Sequence, residues 1–266
     1  MIFHYFGKQQ REGRKQSYLI ADLRAQFTKT NIAFFALLLA YAVMWCGGVG
    51  AHFIFGAAPL ETWWAAPVFL TLAAMITLVT TTQRANLMAL FVVALGGFLA
   101  EVVGVRYGFL FGEYRYMTTL QPQFVGVPLV MMSAWLVLFA YIKQAMLGLR
   151  LAAWLEVFLS ALWITAIDLL IDPLAAGLLD YWKWIEKGNY YGIPARNFLG
   201  WFAVSAILFA LVKATTEWLP NLWARRVGLS IILFFSMIAL AHGSFLLFAI
   251  GLLLCTVDLL LRVVRK

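Results

Sequence analysis

NIAFFALLLAYAVMWCGGVGA, residues 31–51, runs its whole length without a charged side chain. A helix needs about 20 apolar residues to cross the hydrocarbon core of a bilayer, and this run supplies them. Beyond it, comparable runs recur at 64–82, 86–102, 125–146, 150–172, 197–213, 227–241 and 244–261. The pattern predicts an all-α fold, a polytopic membrane helix bundle of about eight transmembrane helices. The last two runs are divided only by Ala241-His242-Gly243-Ser244, and a seven-helix alternative joins them.

Composition agrees. The 266 residues are 64% hydrophobic and 12% charged, with a mean hydropathy of +0.88. A soluble domain carries roughly 25% charged residues, so this chain has about half the usual supply for a wetted surface. The net charge of +8 is a matter of topology. With eight spans and the N-terminus inside, the outer segments hold only Arg106, Arg115, Lys183, Lys187 and Arg196 of the 20 lysines and arginines. A cation bias of this kind orients the chain N-in and C-in. Anionic headgroups account for the basic balance, and no nucleic acid is required. Residues 1–30 then form a basic cytoplasmic segment and 31–266 the transmembrane domain of a multi-pass cell-membrane protein. That segment is too long for the n-region of a cleavable signal. Cys46 and Cys255 lie deep in separate apolar runs and read as packing residues.

Two connections are long, 103–124 and 173–196, and both fall outside in this topology. Long ordered loops often carry function. Beside them stand acids at membrane depth: Glu101 ends the third run, and Asp168 and Asp172 close the fifth. A charged side chain there costs about 2.5–3.5 kcal/mol on insertion scales, so it implies a partner or a task. Asp168 and Asp172 are one helical turn apart on a shared face. If they are close, like-charge repulsion and desolvation keep at least one of them protonated near neutral pH, and a protonated carboxylic acid in an apolar cleft is a general acid. The alternative is that these acids pair with Arg106, Arg196 or Lys183 and pin the loops. Glu156 and Asp258, toward the cytoplasmic ends, read as structural.

A short echo links the two regions. Gly126-Val127-Pro128 precedes Trp135, Gly192-Ile193-Pro194 precedes Trp201 at the same spacing, and Glu101 and Asp168 stand at comparable distances upstream. Each unit reads as a helix ending in an acid, an aromatic loop, a Gly-x-Pro re-entry and a second helix. Repeats of this kind place sites at their interface. The loops are aromatic, with Tyr107, Phe109, Phe111, Tyr114 and Tyr116 in one and Tyr181, Trp182, Trp184, Tyr190 and Tyr191 in the other. Such rings form interfacial belts, or line a site that stabilises a cation. His52 and His242 fall at the same membrane edge. They read as packing contacts, as a proton relay, or as part of a two-His metal site.

At these residues the chain resembles a known family. Glu101-x-x-Gly104, then Gly108-Phe109-Leu110-Phe111-Gly112-Glu113-Tyr114-Arg115-Tyr116 and Gly126-Val127-Pro128-Leu129, is similar to the first signature of the carotenoid hydratases. That family takes in the bisanhydrobacterioruberin and gamma-carotene 1′-hydratases. Asp168-x-x-x-Asp172-Pro173 with Gly192-Ile193-Pro194-x-x-Asn197-Phe198-x-Gly200-Trp201 resembles the second. The likeness is detailed over motif regions 97–135 and 165–202. Ser133 departs from it, standing where a proline is expected, a change that bears on helix entry. The resemblance implies carotenoid biosynthesis by hydration of the terminal C1–C2 double bond, the psi end, of a linear carotenoid. A proton goes to C2, a tertiary cation forms at C1 and water adds there, without a cofactor or a metal. On this reading Asp168 or Asp172 is the acid, and Glu101 orients the water or acts as its base. Tyr114, Tyr116, Trp184 and Trp201 stabilise the cation, and Arg196 and Asn197 tune the site. The partners are a carotenoid or other polyprenoid and membrane lipid.

Rival classes remain at this level. Asp168-x-x-x-Asp172 is half the aspartate equipment of a membrane prenyltransferase, which needs a second acid-rich cluster to hold magnesium on a diphosphate. A carotenoid end-group cyclase uses the same cation without water. A transporter or non-catalytic scaffold would keep its behaviour when the acids become amides.

Overall fold

The computed structural model describes residues 31–56 and 63–264. The basic segment 1–30 lies outside the described residues, as do Arg265 and Lys266. The chain divides between Ala42 and Val43 into two units. The first contributes the opening turns of the first helix, and the second carries the remaining helices and both long loops.

Among the described residues, eight α-helices fall on the eight apolar runs. They are α1 (Asn31–Phe55), α2 (Ala65–Val79), α3 (Arg84–Tyr107), α4 (Met131–Met146), α5 (Ala153–Pro173), α6 (Ala195–Thr215), α7 (Leu222–Ala241) and α8 (Phe245–Val264). Six are long and apolar enough to cross a membrane: α1, α3, α5 with its extension to Leu178, α6, α7 and α8. α2 and α4, at 15 and 16 residues, stop short of the roughly 20 that a crossing asks. They are apolar like the other six and differ from them in length.

In α4 the departure is local and visible. The run beginning at 125 opens in a two-stranded ribbon, β2 (Gln123–Phe124) against β3 (Val127–Pro128). The chain reverses through Val125 and Gly126 at φ of 54° and 77°. A two-residue reversal of this hand needs positive φ at both positions. Glycine takes it freely, and a β-branched valine is an outlier there. The helix starts only beyond Pro128. Every side chain from Trp135 to Met146 is then buried, as α4 packs against α2, α3, α5 and α7. A helix apolar on all sides belongs inside a bundle, and α4 is the core of this one.

Two other junctions shape the site. Regular α5 ends at Pro173 and widens into a π turn, Leu174–Leu178, closed by Leu179 N–H to Leu174 O at 2.8 Å. Turns of this type recur at functional positions. The long loops hold two further strands, β1 (Tyr114–Tyr116) and β4 (Trp182–Trp184), paired antiparallel with Arg115 opposite Lys183. The all-α expectation did not include these ribbons. α7 and α8 are separate helices, divided at Gly243 with φ of 67°.

Candidate active site

Side chains alternate across a strand, so Tyr114 and Tyr116 leave β1 on one face and Arg115 on the other. Both phenols donate to the same carboxylate oxygen, Glu101 Oε2, at 2.5 and 2.9 Å. Trp135 Nε1 donates to Oε1 at 3.3 Å. On β4 the same alternation sends Trp182 and Trp184 together to Asp172 Oδ1, at 2.7 and 3.2 Å. Asn197, in the first turn of α6, completes the set. Its Nδ2 donates to Asp168 Oδ2 and to Asp172 Oδ2, both at 2.7 Å, tying the two aspartates of one helix face to a single amide.

All three acids are buried, at 3%, 5% and 1% exposure for Glu101, Asp168 and Asp172, yet their partners are neutral. The cations that could have pinned them go elsewhere. Lys183 pairs with Asp180 at 3.4 Å, Arg196 approaches Glu186 at 3.9 Å, and Arg106 lies over the Tyr107 ring at 5.8 Å. Elsewhere in the protein the pattern is reversed. Glu156 is held by Lys143 at 2.7 Å and by Lys213, and Asp258 by Arg225 at 3.1 Å and Arg262 at 3.3 Å. Those acids are neutralised in place. The Glu101, Asp168 and Asp172 group is hydrogen-bonded by neutral donors instead.

Two cavities meet at the group. The larger is apolar, lined by side chains such as Leu138, Ile164, Ile231 and Phe235, with Asp168 as its one carboxyl group among the described residues. Its wall on α5 runs from Ile164 through Asp168 and Ile171 to Ala175, which is about 16 Å at 1.5 Å per residue. The smaller gathers the polar side chains of Glu101, Tyr114, Tyr116, Asp172, Trp184 and Asn197 beside the apolar Phe111 and Met131. Met131, Trp182 and Trp201 line both. Trp201 is backed by Trp135, stacked at 4.4 Å and 14°. Burial, and then the nearby Glu101, push the phenols of Tyr114 and Tyr116 well above the usual tyrosine range. Tyr181, on the apolar cavity, is pushed up to about 12 by burial. All three remain neutral donors at any physiological pH.

Of the residues singled out from the sequence, Glu101, Asp168, Asp172, Tyr114, Tyr116, Trp184, Asn197 and Trp201 are brought together. Arg196 is not; it is half-exposed beside Glu186. His52 and His242 are hydrogen-bonded to each other, Nδ1 to Nε2 at 3.0 Å, and line neither cavity. Sequence reasoning passed over Trp135 and Trp182 as site residues. The signal for the first was its spacing from Gly126, equal to that of Trp201 from Gly192. For the second it was the alternation Trp182-Lys183-Trp184, which puts Trp182 on the same strand face as Trp184.

A family model described as carotenoid biosynthesis protein matches residues 63–261. The curated bisanhydrobacterioruberin hydratase of Haloarcula japonica is 36% identical over 135 residues, which are 48% of this chain and 45% of that protein. The match thus spans less than half the length of that relative. No solved structure matches the chain.

Proposed function

The chain belongs to the carotenoid biosynthesis protein family, and on that footing we propose that it is a carotenoid hydratase acting on the terminal C1–C2 double bond of a linear carotenoid. The observation that carries this reading is a buried carboxyl group, Asp168, on an apolar cavity that adjoins a pocket holding two more acids. The cavity suits an isoprenoid end group. An aspartate of the pair gives its proton to C2, and the positive charge settles on the tertiary carbon C1. Water adds to C1 and releases its surplus proton to a carboxylate of the polar pocket. The sum is alkene plus water to tertiary alcohol. No electrons are exchanged, so no redox cofactor enters the scheme. A positioned general acid contributes about 10²–10⁴-fold, and the surrounding tryptophan and tyrosine faces stabilise the cation.

The membrane arrangement belongs to the same proposal. The six long helices make this a membrane protein. The positions of the lysines and arginines support a chain that is N-in and C-in, in which α2 and α4 complete eight passages. Residues 31–266 then form one membrane domain, preceded by a basic cytoplasmic segment, and the loops bearing β1 and β4 lie outside. A rod-like polyene about as long as the bilayer is thick would present its end group at that edge.

The test is co-expression with a lycopene-producing pathway in a bacterium, with pigments separated by chromatography and weighed by mass spectrometry. Wild type should give products heavier by one or two waters, lost when Asp168→Asn or Asp172→Asn replaces it. A product of unchanged mass would mean cyclisation. Unaltered lycopene alongside confirmed membrane expression would reject this substrate.

A further inference from the structure

We propose that the Met131–Trp182–Trp201 wall divides the reaction between two compartments, with Asp168 as the sole proton donor on the hydrocarbon side and Glu101 with Asp172 holding the water on the other. This rests on the hydration reading and assigns the acids that it leaves open. Among the described residues, Asp168 is the only carboxyl group on the apolar cavity, and Glu101 and Asp172 are the two on the polar pocket. The three wall residues are shared, so whatever occupies one cavity is separated from the other by one layer of side chains.

Each compartment is equipped for one task. An alkene has no hydrogen-bonding capacity and is held by an apolar surface, with a single acid at the bond to be protonated. Asp168 accepts from Asn197 through Oδ2 alone among the described donors, which leaves Oδ1 for the proton that is transferred. Water needs about two to four polar partners. The polar pocket supplies Glu101, Asp172, Asn197 and the hydroxyls of Tyr114 and Tyr116. Partners of that number and kind suit a bound water.

Trp182 is the working part of the wall. It lines both cavities, and its indole N–H is spent on Asp172 at 2.7 Å. The ring can therefore meet the C1 cation with its face, while its edge stays anchored to a carboxyl group on the water side. Trp201 stands beside it with Trp135 stacked behind. The balanced sequence is then as follows. Asp168 Oδ1–H breaks as the C2–H bond forms, leaving a carboxylate in the apolar cavity and a cation at C1. Water from the polar pocket forms the C1–O bond and passes its extra proton to Glu101 or Asp172, and exchange with solvent restores the proton on Asp168. If water fails to arrive, the cation returns a proton to the Asp168 carboxylate and an alkene reappears.

The last branch makes the division measurable. Membranes carrying the full chain are supplied with lycopene in deuterium oxide, and recovered carotenoids are analysed for mass and label position. Wild type should give alcohol with one deuterium at C2. Glu101→Gln should lower the alcohol by about a hundredfold, in the range of a general acid or base, while returning unhydrated carotenoid that carries deuterium. Asp168→Asn should give neither alcohol nor label. Trp182→Phe keeps a ring and loses the anchor to Asp172, and should lower the ratio of alcohol to labelled alkene about tenfold. Label incorporated by Asp168→Asn would overturn the proposal. So would a Glu101→Gln protein that retains its thermal stability in detergent but returns no label. Wild type that labels its substrate without hydrating it would refute the hydration reading and leave the Asp168 assignment standing. Wild type that does neither would overturn both.

Discussion

The α3–β1–α4 and α5–β4–α6 segments solve the same structural problem and arrive at different chemistry. Each ends a helix in a buried acid, returns a strand whose alternate aromatics donate to that acid, and re-enters through Gly-x-Pro into a helix bearing a tryptophan. The strands pair centre to centre, Arg115 opposite Lys183, and the two tryptophans, Trp135 and Trp201, stack on one another. By hydrogen bonding, the counterpart of Glu101 is Asp172, whose donors come from β4 as those of Glu101 come from β1. The position one turn earlier then differs decisively. In the second segment it is Asp168, on the apolar cavity. In the first it is Gly97, where a Cβ would fall inside the Trp135 ring. One segment fills the space beside its acid with an indole, and the other keeps a second acid beside open volume. A shared scaffold thus gives a single acid in one segment and a pair in the other, and only the pair reaches the apolar cavity.

The contrast is most vulnerable at Asn197, for which the first segment has no equivalent. Asn197→Ala removes the donor common to both aspartates. An unsatisfied buried polar group costs about 1–3 kcal/mol, and here two oxygens are orphaned at once. Hydrated product should fall about tenfold to a hundredfold, with a matching loss of thermal stability in detergent. Asn197→Asp, with a third carboxylate and no N–H, should be worse. Next is Gly97→Val, which forces the Trp135 ring out of its seat. Overpacking of this kind costs about 1–3 kcal/mol, read as a lowered melting temperature, with smaller consequences for product than at Asn197. The smallest effect separates the phenols from the indoles. Tyr114→Phe and Trp184→Phe each remove one of several donors, about 0.5–1.5 kcal/mol apiece. The raised phenol pKa means that Tyr114 and Tyr116 keep their protons above about pH 10, the ordinary tyrosine value. A group raised in the folded state holds its donor role until that higher pKa is passed, so an alkaline fall in activity below pH 10 should persist unchanged in Tyr114→Phe. If it disappears there, the phenol titrates after all.

Much of this was legible in the chain. The apolar runs placed all eight helices, and the cost of acids at membrane depth picked out Glu101, Asp168 and Asp172. Three features were not legible, each for a physical reason. Hydropathy does not see backbone reversal, so the hairpin at Val125 and Gly126 was absorbed into a span and α4 read too long. A two-residue alternation is short evidence for a strand when the same tyrosines and tryptophans also suit an interfacial belt, and Trp182 was passed over as a site residue. Charge complementarity suggested that Arg196 and Lys183 would seek the buried acids. In the fold they meet nearer carboxylates, Glu186 and Asp180, on exposed surface where hydration is kept.

The β1–β4 ribbon carries a consequence for how the protein comes into being. Its strands lie on either side of α4 and α5 in the chain, so they cannot zip until both helices have been made and docked. Long-range pairings of this sort close late, and domains built in order of synthesis reach them last. A growing chain that has produced α3, β1 and α4 already holds Glu101 with its two phenols, but no proton donor on an apolar cavity. Asp168 and Asp172 join it only when α5, β4 and Asn197 of α6 have been added. The three-acid cluster is therefore completed only when two loops, separated in the chain by α4 and α5, come together.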